Sequence, residues 1–391
     1  MTDDDIRAEV RDWLAANWSR DKAKDDHAVR WTRRVFEARW AATSWPAEWF
    51  GRGYTNAQAK IVEQAFAAVG ARGAGQDRSN LAANTVLKFG TEALKHVVLP
   101  KLLSGEASIC LLYSEPGAGS DLASVRTRAD RQGDGWVVNG QKVWTSGAMT
   151  ADYGLLLART DWDQPKHNGI SFFLLPMKQA GVDVRPIHQI TGDRHFNEVF
   201  IDNAIVPPDH RLGEENAGWS VLQTALAYER LIMGEGAGER RQGASKDNRV
   251  DLVRLAHERG KLRDPVLRQK IAQAIAYRHL NSLNLARAKA EMAQGTSSPI
   301  MSLGKLAMSR ILHNDARVMG DILGTESLLD GPDHALAADV NYRGFNAFMT
   351  SIGGGTDQIQ RNIISERVLG LPREIEIDRN LPFRESRAVT G

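Results

Sequence analysis

The sequence predicts a helix–β–helix protein, with helical domains over 1–108 and 216–391 and a β domain over 109–215. Three observations predict it. Apolar residues recur at helical spacing up to about Leu103. From Ile109 to about Leu212 they fall in short β-branched runs punctuated by glycine, with no long helix between them. Helical spacing then returns after Gly218.

In the first block, Ile6, Val10, Trp13 and Leu14 lie on one face of a helix. A second helical pattern spans Trp31 to Trp40, and Trp45 to Gly53 breaks it with one proline and two glycines. Helices follow over Thr55–Val69, Ser79–Phe89 and Glu92–Leu103. In the β block, Gly135–Gly140 is a strand entering a turn at Asn139-Gly140. Tyr153–Ala158, Ile170–Leu175, Val182–Ile187 and Phe196–Ile201 are further strands. The last block predicts helices over Trp219–Met233, Ala237–Arg259, Pro265–Gln294, Ile300–Leu323 and Asn341–Ser351. A final one runs from Gly355 or Thr356 to Leu369, closed by Gly370.

Composition narrows the partners. Fifty basic residues against forty-eight acidic ones leave a formal charge of +2, which gives no argument for nucleic acid or an anionic membrane. No apolar run approaches the roughly 20 residues that span a bilayer. The N-terminus is acidic, without an export segment, so a cytoplasmic protein is expected. Cys110 is the single cysteine and sits in an apolar run. It can form no intramolecular disulfide and is expected to be a buried, inert filler. No metal site is implied.

Two segments could hold a ligand. Tyr113-Ser114-Glu115-Pro116-Gly117-Ala118-Gly119-Ser120-Asp121 is a glycine-rich turn bearing hydroxyls. Such a turn can bring backbone N–H groups close to a ligand, or can be only a structured loop. It lacks both the Lys-Ser/Thr of a triphosphate loop and the spacing of a dinucleotide fingerprint. In Asn139-Gly140-Gln141-Lys142-Val143-Trp144-Thr145-Ser146-Gly147, Trp144 is bordered by polar and turn residues. It is either a tryptophan half buried at a strand end or an aromatic wall for a flat ring.

With these segments, Gln358-Ile359-Gln360-Arg361-Asn362-Ile363-Ile364 and Glu366-Arg367-Val368-Leu369-Gly370-Leu371-Pro372-Arg373-Glu374 stand in one order along the chain, and together they resemble the acyl-CoA dehydrogenase family. The resemblance implies an N-terminal all-α domain, a central β-barrel-like domain and a C-terminal four-helix-bundle domain, with noncovalent FAD. It places Tyr113 and Ser114 along the isoalloxazine edge, Gly119 and Ser120 over the flavin and the thioester arm, Trp144 across one flavin face and Ser146 beside N5. Gly324, Thr356 and Gln358 are implied as further cofactor-binding positions. It also implies an acyl-CoA substrate, an electron-transfer flavoprotein as acceptor, and a homotetramer, with a dimer or heteromer as alternatives.

Departures from the family pattern carry information. Asp321-Ile322-Leu323-Gly324-Thr325 stands where members have Gln-Ile-x-Gly-Gly, and an acidic Asp321 disfavours nearby phosphates. Arg259 is the nearest counterpart of the family arginine that approaches the pyrophosphate. These features leave room for an FAD-binding or partner subunit of a heteromeric enzyme.

The reaction class needs a carboxylate to take the α proton. Many members place it just before a C-terminal Gly-Thr, yet Ser351-Ile352-Gly353-Gly354-Gly355-Thr356 has none there. The other family solution puts a glutamate in the helix after the β domain, and Tyr228-Glu229-Arg230-Leu231 matches it. Glu229 is therefore the expected base, against the alternative of a solvated or arginine-paired carboxylate. Gly354 would retain the backbone N–H that faces the thioester oxygen and would leave room for a branched or bulky acyl group. Similarity to steroid-degrading bacterial members runs through Pro186 to Phe200, including Gln189-Ile190-Thr191-Gly192 and Phe196-Asn197-Glu198-Val199-Phe200.

Overall fold

The computed structural model describes residues 1–19, 27–234, 251–294 and 300–386. Its contacts divide into two compact units. One comprises Met1–His188, Arg194–Ile232 and Ile377–Gly391, the other Gln189–Asp193 and Met233–Glu376.

In the first unit, helix α1 (Asp3–Asn17) starts at a capping box. The Thr2 hydroxyl accepts from the Asp5 N–H and the Asp5 carboxylate accepts from the Thr2 N–H. Ile6, Val10 and Leu14 are buried at i, i+4 and i+8. The same device starts α3 (Asn56–Val69) at Thr55, and Gly70 ends that helix in the left-handed conformation. Between them lies α2 (His27–Glu37). The segment expected as one helix from Ser79 is instead a short turn, α4 (Gln76–Ser79), followed by α5 (Leu81–Phe89), whose Asn80 cap accepts from the Ala83 N–H. Helix α6 (Glu92–Ser104) closes the helical run at Gly105.

Seven strands follow: β1 (Ile109–Leu112), β2 (Arg128–Gln132), β3 (Gly135–Ser146), β4 (Tyr153–Arg159), β5 (Ile170–Pro176), β6 (Val182–Pro186) and β7 (Phe196–Val206). Their order is β1-β4-β2-β3-β7-β6, with β5 paired to β4. Pairing is antiparallel except for β1 and β2 against β4. The unbroken apolar runs of β4 and β5 have a physical cause, because both faces are covered. Leu155, Leu157, Phe172 and Leu174 pack with the N-terminal helices, whereas Leu156, Ala158, Phe173 and Leu175 pack with Trp136, Val199 and Ile201. Cys110 belongs to this second core, where burial pushes its thiol up to about 12, as an inert filler requires.

Two expectations in the β block need correction. Strand β2 was not foreseen. The predicted turn at Asn139-Gly140 is a register shift inside β3, which continues to Ser146. Gly140 is needed there, since a Cβ would meet the Thr127 Cα at 2.7 Å.

Helix α7 (Gly218–Gly234) buries Val221, Leu222 and Ala225. The second unit contains α8 (Leu252–Glu258), α9 (Pro265–Ala293), α10 (Ile300–Leu323), α11 (Ala335–Ile352) and α12 (Asp357–Ile363). Its core joins Leu252, Leu255, Ile271, Val318, Ile322 and Val340. The expected last helix stops at Ile363, and one π-helical turn carries the chain to Val368 before Gly370 at φ +67°. The first fourteen residues of the helix expected from Ala237 lie outside the described residues. Among the described residues, no helix is long and apolar enough to cross a membrane.

Candidate active site

The glycine-rich turn is anchored by a buried ion pair. Glu115 and Ala118 exchange backbone hydrogen bonds of 3.0 and 3.1 Å, closing Pro116-Gly117 into a tight turn. The Glu115 carboxylate turns inward. It accepts from the N–H groups of Arg126 at 2.7 Å and Thr127 at 2.9 Å, and from the Lys142 ammonium at 2.7 Å. Lys142 is fully buried, and it also donates to the carbonyls of Tyr113 at 3.1 Å and Leu157 at 2.7 Å. Each of its three protons thus has an acceptor. Burial works against the carboxylate charge, but Lys142 and the two amides outweigh it and hold Glu115 below the usual range. Burial also lowers Lys142, with Glu115 opposing. The pair stays ionised because every charged hydrogen-bonding group in it is matched.

This pair holds the two motifs side by side. The Lys142 ammonium grips the Tyr113 carbonyl, and the Val143 N–H donates to the Ser114 carbonyl at 3.0 Å. The Tyr113 ring itself is buried against Phe172, with centroids 5.7 Å apart, so its side chain faces the core while its backbone borders the motif. Beyond the turn, Gly119 and Ser120 are exposed. Neither Gly117 nor Gly119 has a positive φ, and a Cβ added at either would meet nothing within 4 Å. Among the described residues, no positive φ and no close neighbour requires glycine at either position. The open space leaves the backbone of this turn accessible.

Trp144 adopts a left-handed conformation, φ +61°, at a second register shift between Lys142 and Thr145. For a bulky side chain this is costly, by about 1–2 kcal/mol, and it persists only where neighbours enforce it. The enforcing contacts are visible. Buried Asn197 donates to the Thr145 carbonyl at 2.9 Å, and the Gly147 N–H donates to the His195 carbonyl at 3.2 Å. The indole is 58% exposed, held edge-on by Phe196 at 5.9 Å. Ser146 is exposed two residues further on. An outward aromatic face, two hydroxyl-bearing residues and an uncrowded glycine turn suit a flat heterocycle with polar edges, as the isoalloxazine of FAD is.

The remaining expected positions belong to α7 and to the second unit. Tyr228-Glu229-Arg230 falls in the last turns of α7, and the side chains of Glu229 and Arg230 lie outside the described residues. In the second unit, Gly324 is left-handed (φ +61°) where α10 ends, which accounts for glycine there. Asp321 pairs with Lys270 at 2.8 Å, and Arg259 forks onto Glu326 at 2.6 and 3.0 Å. Both groups singled out for the phosphate question thus have protein partners.

The glycine run caps α11 and leads into α12. Gly354 and Gly355 have φ of +65° and +87°, so the turn itself requires glycine. Thr356 caps α12 by accepting from the Ile359 N–H at 3.1 Å, and Gln358 is exposed on its first turn. Lys305 bridges the two legs of the turn, donating to the Ser351 carbonyl at 3.3 Å and to Asp357 at 3.1 Å. Ser309 joins Ser351 to Asp357, and His313 meets the Ser351 hydroxyl at 2.6 Å.

Sequence reasoning missed Glu115–Lys142, Asn197 and the Lys305 bridge as supports. No local signal marks them, since Lys142 stands among Asn139, Gly140, Gln141, Thr145 and Ser146 and reads as part of a polar turn.

Comparison with known proteins supplies the family. Acyl-CoA dehydrogenase N-terminal, middle and C-terminal domain descriptions match residues 2–106, 110–204 and 216–369. The acyl-CoA dehydrogenase IpdE1 of Mycobacterium tuberculosis is 35% identical, over 95% of this chain and 98% of that protein. A Tcur3481-Tcur3483 steroid ACAD structure aligns with TM-score 0.70 at 26% identity, over 95% of this chain and 98% of that one. The ChsE4-ChsE5 complex from Mycobacterium tuberculosis aligns with TM-score 0.66 at 28% identity, over 95% and 98%. With all three domain types matched in order, the chain belongs to the acyl-CoA dehydrogenase family.

Proposed function

We propose that the chain catalyses FAD-dependent α,β-dehydrogenation of an acyl-CoA thioester with a branched or bulky acyl group, delivering electrons to an electron-transfer flavoprotein. The carrying observation is the outward Trp144, held in a strained conformation beside Ser114 and Ser146. FAD, when bound, supplies the acceptor for the β-hydride. The chain's own residues do the rest. Trp144 covers one ring face, Ser114 and Ser146 meet its polar edges, and Gly119 and Ser120 border the thioester arm. Thr356, Gln358 and Gly324 serve the remaining cofactor. Glu229 takes the α proton, and the Gly354 N–H faces the developing enolate oxygen. Gly353, whose backbone is not left-handed, carries no side chain where the common base would stand, which supports room for a bulky acyl group. The Tcur3481-Tcur3483 steroid ACAD likeness supports a ring-bearing one.

A second reading has a specific basis. Lys270 neutralises Asp321 and Glu326 occupies Arg259, so the phosphate-side contacts differ from the family pattern. Together with the likeness to the ChsE4-ChsE5 complex, this favours a subunit that reaches full activity in a heteromer. Otherwise the homotetramer or dimer of the family applies.

The test is anaerobic flavin reduction by a panel of acyl-CoA esters, with flavin stoichiometry measured on the purified chain. Reduction fastest with ring-bearing or branched esters supports the proposal. Preference for short unbranched esters over every bulky one refutes the substrate class. A chain that binds flavin only with a second polypeptide supports the heteromeric reading.

A further inference from the structure

The segment Pro116–Leu122 is staked at two points. One is Glu115, which holds the N–H groups of Arg126 and Thr127. The other is Arg159 at the end of β4, which no motif includes. Its guanidinium donates to the carbonyls of Ala123 at 2.7 Å, Val125 at 3.3 Å and Lys166 at 2.8 Å, and its own N–H donates to the Thr127 carbonyl at 2.7 Å. Lys166 returns to the same loop by pairing with Asp121 at 3.1 Å.

Arg159 is fully buried, and the residue that buries its flat face comes from the far end of the chain. The Phe383 ring lies 3.7 Å from the guanidinium carbon and is itself fully buried. Phe383 is fixed by a short backbone zipper across more than two hundred residues. Its N–H donates to the Gln164 carbonyl at 2.9 Å, and the Arg384 N–H donates to the Trp162 carbonyl at 3.1 Å. The Trp162 ring packs on Phe383 at 5.4 Å, and Arg384 pairs with Asp163 at 2.6 Å. Water is thereby kept from the guanidinium, whose Nη donors are left with loop carbonyls as partners while its Nε has none among the described residues. Burial pushes Arg159 down to about 10, opposed by Glu115, Asp161 and Asp121, and the low-dielectric setting strengthens each remaining hydrogen bond.

We propose that Phe383 is a positioning residue: by closing over Arg159 it orders the Gly119–Val125 loop, and thus the chain's C-terminal segment sets the loop's readiness for its ligand. The inference rests on the reading of that loop as bordering the flavin and the thioester. The link itself concerns only the loop's order and can be measured separately.

The experiment is amide hydrogen exchange on the full-length chain, with flavin affinity measured in parallel. Phe383→Ala should raise exchange of the 119–125 amides at least tenfold while β3 and β7 amides keep their protection. Phe383→Leu, which keeps apolar cover but loses the aromatic face, should fall between wild type and Phe383→Ala. Arg159→Lys keeps the charge but not the fork, and should release the same amides from the other end. Unchanged 119–125 exchange in the Phe383→Ala and Arg159→Lys chains would overturn the proposal, as would an equal rise throughout the sheet. If Phe383→Ala chains do not fold, selective loop release in Arg159→Lys and Phe383→Leu sustains the link, and its absence in both overturns it. Flavin affinity should fall severalfold with loop release. Loop release with unchanged flavin affinity would leave the link standing and remove the reading of the loop as a flavin neighbour.

Discussion

Each compact unit holds a carboxylate turned inward onto a cation, buried at Glu115 and half-buried at Asp315, and the two behave in opposite ways. Glu115 in the first unit takes three hydrogen bonds shared over both oxygens, from Lys142 and two backbone amides, and sits below its ordinary pKa. Asp315 in the second takes two from Arg278, at 3.1 and 2.6 Å, both on one oxygen. Its other oxygen is buried without a partner among the described residues, and burial raises its pKa despite Arg278. A cationic neighbour does not by itself make a buried carboxylate comfortable. Giving both oxygens donors does. The fully matched pair is the one beneath the candidate flavin site, where two motifs must be held in register. The under-matched pair joins two bundle helices.

Glu115→Gln breaks this contrast hardest. It leaves the Lys142 ammonium buried without its counter-charge and should cost about 3–5 kcal/mol in denaturant unfolding. A loss under about 1 kcal/mol would mean that the ion pair is incidental.

Acid titration sharpens the same contrast through its sign. Glu115 has a folded pKa below its unfolded value of about 4.3. Its contribution is therefore present above about pH 4 and lost as pH falls through the lowered value. Asp315 is raised, so its contribution is present below about pH 4 and lost as pH rises through the folded value. The stability gap between wild type and Glu115→Gln should shrink on acidification. Asp315→Asn should instead be closest to, or above, wild type at neutral pH.

Trp144→Gly separates strain from function at the site. Glycine accepts φ +61° freely and the lost indole is largely exposed, so the flavin-free chain should keep or gain up to about 1 kcal/mol. Flavin affinity should drop roughly tenfold, the scale of a lost aromatic stack. Unchanged affinity would remove Trp144 from the flavin. The smallest effect belongs to Asp315→Asn at neutral pH, expected within about 1 kcal/mol of wild type, because the charge removed was poorly compensated.

Much of the fold was legible because its signals are local. Helix α10 was read to the residue, since Ile300–Leu323 is periodic and ends at a left-handed glycine. Strand β2 was not, because Arg128–Gln132 buries only Ala129 and carries almost no apolar pattern. Asn139-Gly140 reads as a turn, yet the glycine serves a close backbone approach to Thr127 that only tertiary packing creates. At the candidate site, the exposure of Trp144 is legible from its polar surroundings, and the missing carboxylate at Gly353 and Gly354 stands in the sequence itself. The supports were not, because Glu115–Lys142, Arg159–Phe383 and Lys305–Asp357 join residues 27, 224 and 52 positions apart. The glycines also divide in a way sequence alone cannot show. Gly324, Gly354 and Gly355 are required by positive φ, whereas nothing among the described residues requires glycine at 117 or 119.

Under the proposed function, Glu229 takes the α proton because the C-terminal position holds no carboxylate. The most direct measurement is stopped-flow flavin reduction by a bulky acyl-CoA ester, without oxygen, comparing wild type with Glu229→Gln at equal flavin loading. The variant should retain flavin and ester binding while the reduction rate falls roughly 10²-fold or more, the scale of general base catalysis. Reduction at a near-normal rate by the flavin-loaded variant would contradict it.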